Sequence, residues 1–267
     1  MVLFYFSGTG NSKYIAELFS QKMEGKCYSI EEAIDFSQLI KSEEVVGFCY
    51  PVYGSRVPRN MREFVQKFLA DLKGKKLIIF ATQWYFSGDG ARVLTDLFPK
   101  NHVEVIYAEH FNMPNNISNS FWFRQVSEQK MEKKIFKAEK KLDTAIQNIK
   151  LGRVKQRGFS GFAKCLGELQ GKFWQKESTS VGLVAGSMED KIAKSIQINQ
   201  DCTSCRICVK VCPVNNLKLE NKVIEHNNDC IGCYRCVNKC PERAIALISK
   251  ATPKWQYKCI KNATELL

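Results

Sequence analysis

A repeated pattern of cysteines near the C-terminus constrains this chain more than any other feature. Twelve cysteines occur in 267 residues, and eight of them form two copies of C-x2-C-x2-C-x3-C-P, offset by 28 residues. Thiols spaced this closely, without a secretory context, are typical of metal ligands rather than of disulfides. The two copies consist of Cys202, Cys205, Cys208 and Cys212, and of Cys230, Cys233, Cys236 and Cys240. Each copy has to wrap its backbone closely around a metal centre.

The cysteine run resembles that of bacterial ferredoxins with two [4Fe–4S] clusters. In that family the fourth cysteine of each repeat binds the cluster of the other repeat. The resemblance implies that cluster I is held by Cys202, Cys205, Cys208 and Cys240. It implies that cluster II is held by Cys230, Cys233, Cys236 and Cys212. Zinc is the alternative, because pairs of C-x2-C form tetrahedral sites, but zinc gives no purpose to the third cysteine or the proline.

A glycine-rich loop lies between the first predicted strand, Val2–Phe6, and a predicted helix, Lys13–Met23. Its backbone N–H groups and hydroxyls, together with the start of the helix, favour a phosphate monoester. The loop lacks a Walker lysine, and Lys13 stands where the dinucleotide pattern requires glycine. The candidate phosphate-binding residues are Ser7, Gly8, Thr9, Gly10, Asn11 and Ser12. A helix cap without a ligand is the alternative explanation.

Two further loops follow the predicted strands Val45–Tyr50 and Leu77–Thr82. The carboxyl ends of parallel strands form the ligand edge of an open α/β sheet. With the loop at 7–12, these loops resemble the FMN-binding loops of flavodoxins. The resemblance implies that the ring is flanked by Pro51, Val52, Tyr53, Gly54, Thr82, Gln83, Trp84, Tyr85, Ser87 and Gly88. Tyr53, Trp84 or Tyr85 is the candidate for stacking on the ring, and core packing is the alternative for each.

Alternating strand and helix patterns in the first 110 residues predict a parallel sheet with helices on both faces. The fold class is therefore α/β, and the resemblance implies a doubly wound flavodoxin-like sheet of order 2-1-3-4-5. We expect an FMN-binding domain at 1–150, a basic helical connector at 151–195, a small α+β two-cluster ferredoxin domain at 196–250 and a C-terminal tail at 251–267. The connector carries large apolar residues at helical spacing, which predict packing against one or both domains: Phe159, Phe162, Leu166, Leu169, Phe173 and Trp174.

The charge distribution limits the classes of partner. The net charge is +13, and residues 128–176 alone contribute +8. This stretch suits a solvated helix face, with an acidic partner or an anionic membrane surface as alternatives. No motif indicates nucleic-acid binding. No apolar run approaches the ~20 residues of a membrane span, and the N-terminus lacks the features of a signal peptide, so we expect a soluble cytoplasmic protein.

The chain as a whole resembles flavodoxin–ferredoxin fusions, which are common in anaerobes. The resemblance implies an electron-transfer protein that shuttles electrons between FMN, two [4Fe–4S] clusters and external redox partners. An oxidoreductase that reduces a quinone or a nitro compound at the FMN is the alternative. A non-redox scaffold with zinc is a third class. No acid–base or nucleophilic residue is assigned, because the cofactors would supply the chemistry. The sequence does not indicate the donor, the acceptor or the oligomeric state.

Overall fold

A six-stranded parallel sheet forms the N-terminal part of the computed structural model, which describes residues 1–120 and 125–259. The strands lie in the order β2-β1-β3-β4-β5-β6. They are β1 Val2–Tyr5, β2 Lys26–Ser29, β3 Val45–Pro51, β4 Lys76–Gln83, β5 Glu104–Asn112 and β6 Lys155–Gln156. The predicted order 2-1-3-4-5 is confirmed. The sixth strand is an addition, because its two exposed polar residues carry no strand signal and it falls within the predicted connector.

Helices cover both faces of this sheet. They are α1 Asn11–Lys22, α2 Phe36–Ser42, α3 Arg59–Lys67, a 3-10 helix at Arg92–Leu97 and α4 Glu128–Lys150. Successive side chains of a strand point to opposite faces, and β1 shows how this builds two cores. Val2 and Phe4 pack with residues of α2 and α3, whereas Leu3 packs with residues of α1 and α4. The continuous apolar runs of β1, β3 and β4 are explained by this burial on both sides.

The cysteine-rich part repeats its backbone as well as its sequence. It contains β7 Gln197–Ile198, α7 Ile207–Val211, β8 Leu217–Glu220, β9 Val223–His226, α8 Arg235–Lys239 and β10 Ile245–Ala246. β8 and β9 form an antiparallel hairpin, and β7 pairs with β10. Ser204 and Gly232, which are equivalent in the two repeats, have φ of 55° and 71°. Arg206 and Tyr234, also equivalent, have φ of 64° and 60°. The two loops therefore turn in the same way before each helix.

The connector contains α5 Gly161–Trp174 and α6 Met188–Ala193, but only part of it packs as its sequence predicts. Phe162, Leu169 and Phe173 are exposed, whereas the buried residues of α5 are Gly167 and Gly171. The connector is helical as predicted, and Phe159 and Trp174 pack against the two hydrophobic cores as predicted. The prediction fails for the three exposed residues of α5. Glycines allow the helix backbone to approach its neighbours more closely than its large side chains would.

Residues 251–259 return to the first domain. The Tyr257 hydroxyl donates to Oδ1 of Asn11 at 2.6 Å, and the Gln256 side chain donates to the carbonyls of Val237 and Cys240. The predicted tail therefore contacts both the start of α1 and helix α8. Its last part, residues 260–267, lies outside the described residues. Along the described chain, no helix is long and apolar enough to cross a membrane.

A buried ion pair joins helix α6 of the connector to helix α3. Nη2 of Arg62 in α3 lies 2.8 Å from Oε2 of Glu189 in α6, and both side chains are at most 2% exposed. Arg62→Met would leave the Glu189 carboxylate buried without its partner, so we expect a loss of about 3–5 kcal/mol in the free energy of unfolding. Denaturant titration measures this loss. Restoration of most of it in the double variant Arg62→Met/Glu189→Met would assign the loss to the stranded charge.

The exposed pair Lys76–Glu44 provides the matched control, with N–O at 2.7 Å and side chains 42% and 74% exposed. Lys76→Met is expected to lower the free energy of unfolding far less than Arg62→Met, because solvent screens such pairs. Equal losses for Lys76→Met and Arg62→Met would contradict the proposed role of the buried pair.

Candidate cofactor sites

One cavity brings together the cysteines implied for cluster I. Its lining includes Cys202, Cys205 and Cys208 of the first repeat and Cys240 of the second. Burial, together with the smaller effect of the thiolates of Cys202, Cys240 and Cys205, raises the pKa of Cys208 to about 11. The fold therefore places Cys240 with the first repeat, although it lies 28 residues beyond Cys212 in the sequence. Ligation of a cluster by this set remains a prediction.

The other four cysteines form a second group. Burial raises the pKa of Cys236 well above its ordinary value, and the thiolates of Cys233, Cys230 and Cys212 are the next causes. Burial likewise raises the pKa of Cys230 to about 12, with Cys233 and Cys212 adding to the rise. Cys208 also acts on Cys236, so the two groups are neighbours. This grouping corresponds to the predicted crossed sets, and the ligation again remains a prediction.

Backbone amides donate to the cysteine sulfurs at equivalent positions of the two repeats. Asn216 N lies 3.2 Å from Sγ of Cys212, and Ala244 N lies 3.3 Å from Sγ of Cys240. Such N–H groups stabilise thiolates and tune the potential of a bound cluster. Buried thiols with raised pKa values need a cation to ionise them, and a metal centre supplies that charge. The donor set therefore fits an iron–sulfur cluster.

The thiols do not converge on a single point. Among residues 1–120 and 125–259, no three His, Cys, Asp or Glu side chains lie in an arrangement that would hold one metal ion. A [4Fe–4S] cluster does not require such convergence, because each thiolate binds a different iron atom at a corner of the cluster.

The loops predicted to bind FMN meet around a second cavity at the carboxyl edge of the sheet. The enclosed part measures about 180 Å³, less than the ~300–1,000 Å³ of typical ligand sites. A bound flavin would therefore extend into its open mouth. The predicted residues that line it are Ser7, Gly8, Thr9, Asn11, Ser12, Pro51, Val52, Tyr53, Gly54, Thr82, Gln83 and Trp84.

Four predicted residues do not line this cavity. Gly10 is covered by Cys259, which would lie 2.7 Å from a Cβ atom added there. Tyr85 is 76% exposed and is not part of the lining. Ser87 is buried and bonded to the Gln83 side chain, and Gly88 packs against α5. These four residues lie outside the lining of this cavity, and their contact with a flavin stays a prediction.

The polar groups of the cavity fit a phosphate and a polar ring. Helix α1 has no side-chain cap, and Gly10 at its N-cap has φ of 107°, so the N–H groups of its first turn face the loop. The hydroxyl of Tyr53 and Nε1 of Trp174 are buried and have no hydrogen-bond partner among residues 1–120 and 125–259. Buried polar groups normally have partners, so these two point to a ligand that supplies them.

Several residues that line this cavity were not predicted from the sequence. Residues 113–117 follow β5, which is the next strand along the sheet edge, so strand order could have identified them. Trp174 comes from the end of α5, and its ring lies 6.0 Å from that of Tyr53. Gly232 and Tyr234 come from the second cysteine repeat. No local sequence signal links these three residues to the flavin loops.

The second cysteine repeat therefore forms part of the wall of the flavin cavity. A Cβ atom added to Gly8 would lie 2.4 Å from the carbonyl oxygen of Cys233. Arg235 fixes this contact by donating to the Ser7 and Gly8 carbonyls at 2.7 and 3.2 Å and by pairing with both oxygens of Glu31. Cys233 of the second repeat thus lies directly beside the candidate phosphate loop.

Removal of the Tyr53 hydroxyl tests the fit of this cavity to a flavin. Burial raises the pKa of Tyr53 well above its ordinary value, so the phenol is neutral and can donate one hydrogen bond. Tyr53→Phe is expected to raise the FMN dissociation constant about tenfold while the apoprotein keeps its stability, because an unpaired buried hydroxyl is removed. Tyr107→Phe, a change at a buried residue of β5 outside the cavity, is the control. An unchanged FMN affinity in Tyr53→Phe would contradict the assignment.

Comparison with known proteins agrees with this architecture. Residues 2–115 match the flavodoxin domain family, and residues 201–245 match the 4Fe-4S dicluster domain family. No protein of curated function matches the chain.

Three solved structures are similar to the N-terminal part. The two-electron reduced flavodoxin of Megasphaera elsdenii is 23% identical, covers 41% of this chain and 85% of its own length, and has a TM-score of 0.35. A candidate flavoprotein from Bacteroides eggerthii is 20% identical, with 52% and 96% coverage and a TM-score of 0.36. The Trp repressor binding protein from Bacillus subtilis is 10% identical, with 55% and 96% coverage and a TM-score of 0.39.

The two domain types support an electron-transfer function of the flavo-iron–sulfur class. The order of the matched domains, with the flavodoxin domain first and the 4Fe-4S domain second, is that of a flavodoxin–ferredoxin fusion.

Proposed function

We propose that this chain shuttles electrons between an FMN, two [4Fe–4S] clusters and external redox partners. The contact between Gly8 and Cys233 is the observation that carries this proposal, because it makes the second cysteine repeat a wall of the flavin cavity. A flavin exchanges electrons singly or in pairs and a cluster exchanges one at a time, so the cofactors together can merge or split electron pairs.

The exposure of the cysteines suggests where partners dock. Cys230, Cys233 and Cys236 are buried, whereas Cys205 is exposed and Cys202 is partly exposed. Cluster II would then lie between the flavin and cluster I, and cluster I would lie nearest the surface. We infer that external redox proteins approach the first repeat and not the second.

The protein residues supply positioning and exclusion of water. Arg235 holds the loop of the second repeat against the loop at 7–12. Its bidentate pair with Glu31 fixes the orientation of the guanidinium group. Tyr53 and Trp174 close the cavity on the side of the connector. A junction held by these contacts would fix the separation of two cofactors without any acid–base residue.

An anaerobic redox titration of the holoprotein, followed by optical and spin-resonance spectra, tests the proposal. We expect one flavin and two clusters to titrate in each chain. A colourless protein that binds zinc would contradict both the electron-transfer proposal and the cluster assignment. Sustained turnover of a quinone or nitro compound with reduced clusters as donor would instead establish the oxidoreductase.

A further inference from the structure

Helix α5 packs against the rest of the protein through its glycines. A Cβ atom added to Gly167 would lie 1.6 Å from Oδ1 of Asp89, and one added to Gly171 would lie 2.0 Å from the guanidinium carbon of Arg56. Ser55 also donates to the Gln170 side chain at 2.7 Å. These contacts leave no room for rotation of the helix about its axis. The orientation of its opposite face is therefore fixed.

The opposite face carries large apolar side chains that point away from the protein. Phe162, Leu169 and Phe173 are 76%, 61% and 74% exposed. Their spacing of seven and four residues places them along one side of the helix. A helix that packs by its small residues and exposes its large ones contradicts the usual burial rule, and such exposed apolar surface marks an interaction site.

A second apolar segment lies beside this helix. Residues 84–86 form an exposed Trp-Tyr-Phe loop. Gly88, two residues further on, packs against α5, because a Cβ atom there would lie 2.6 Å from the Gly167 nitrogen and 3.0 Å from the Ala163 carbonyl oxygen. The loop and the helix thus form adjoining parts of what we call the aromatic surface, consisting of Trp84, Tyr85, Phe86, Phe162, Leu169 and Phe173.

Lysines surround the aromatic surface. Lys164, Lys172 and Lys176 are exposed on or just after α5. Lys134 of α4 donates to the Trp84 carbonyl at 2.5 Å and lies over its ring. Lys130, one turn before Lys134 in α4, lines the same pocket as Trp84.

We propose that the aromatic surface binds an anionic phospholipid membrane, with the chain lying on the bilayer and not crossing it. Exposed Trp, Phe and Leu flanked by lysines is the composition of interfacial segments, which enter the headgroup region and pair with anionic lipids. Lysine stems can extend along the apolar surface and bring their ammonium groups to the lipid phosphates. A second copy of the chain is a poorer occupant, since a symmetric contact would place the same lysines opposite each other.

Co-sedimentation of the holoprotein with vesicles tests this proposal. We expect binding to phosphatidylcholine vesicles that contain about 30% phosphatidylglycerol and little binding to phosphatidylcholine alone. Raising the ionic strength from about 0.05 M to about 0.5 M should weaken binding, because it screens the lysines. The double variant Phe162→Gln/Phe173→Gln should bind the anionic vesicles at least about tenfold more weakly. Both side chains are largely exposed, so the variant should fold, and its unchanged flavin and cluster spectra verify this.

Val223→Gln is the matched control, because Val223 is 58% exposed on β9 of the cysteine-rich part. It is expected to bind the vesicles like the wild type. Three results would overturn the proposal: absence of binding to anionic vesicles, equal binding to neutral vesicles, or full binding by the double variant. A concentration-dependent dimer that the double variant abolishes would assign the surface to a second copy and would also overturn it.

Discussion

Replacement of Cys240 by serine is expected to remove the cluster associated with the first repeat and to leave the flavin and the other cluster in place. Cys240 belongs to the second repeat in sequence but lines the cavity of Cys202, Cys205 and Cys208. Iron should fall from about eight to about four atoms per chain, since each [4Fe–4S] cluster holds four. Because the surviving cluster lies beside the flavin cavity, rapid exchange of electrons between them should persist. Iron analysis and anaerobic photoreduction measure the two effects.

The companion variant Cys212→Ser should have the same iron content as Cys240→Ser, but its rapid electron exchange with the flavin should be lost. Cys212 groups with Cys230, Cys233 and Cys236, so the cluster beside the flavin should be lost and rapid exchange should disappear. Cys165→Ser, at an exposed cysteine of α5 outside both repeats, is the control and should keep both clusters. If Cys240→Ser instead abolished rapid exchange while Cys212→Ser preserved it, each repeat would bind its own cluster and the crossed assignment would be wrong.

Addition of a methyl group at Gly8 is expected to disturb the junction between the two domains. The new Cβ atom would stand 2.4 Å from the Cys233 carbonyl oxygen, and backbone on both sides cannot move aside as a flexible side chain can. We expect Gly8→Ala to lower the free energy of unfolding by about 1–3 kcal/mol, as other overpacked sites do. We also expect slower exchange between flavin and clusters, because the second repeat is pushed away from the cavity. Denaturant titration and photoreduction kinetics are the measurements.

Gly182→Ala is the matched control, because a Cβ atom at Gly182 has no neighbour within 4 Å. It should leave stability and kinetics unchanged, and both variants should retain about eight iron atoms. A Gly8→Ala protein with the stability and the exchange rate of the wild type would show that the junction is loose and that the close contact is unimportant.

Local sequence signals predicted the separate parts of this protein. The apolar runs of β1, β3 and β4 required burial on both faces, and this gave a parallel sheet and placed the loops at 7–12, 51–54 and 82–88 at one edge. The spacing of the cysteines repeated itself in the backbone, where Ser204 and Gly232 share a left-handed conformation. These features depend on residues close together in the sequence.

The arrangement of the parts could not be predicted in this way. The contact of Gly8 with Cys233 and the bonds of Arg235 to the Ser7 and Gly8 carbonyls join residues more than 220 positions apart. Nothing near Arg235 in the sequence distinguishes it from a surface arginine. The buried face of α5 could not be predicted for another reason. The helix packs through Gly167 and Gly171, whereas the periodicity of apolar residues takes account only of large side chains.

The central claim is that flavin and clusters exchange electrons within one chain. Anaerobic photoreduction of the holoprotein, followed at the flavin and cluster absorption bands over a range of protein concentrations, tests it most directly. The close junction of Gly8, Tyr53 and Cys233 predicts a first-order exchange whose rate is the same at every concentration. A rate that rises in proportion to protein concentration, or an absence of exchange between the cofactors, would contradict the account.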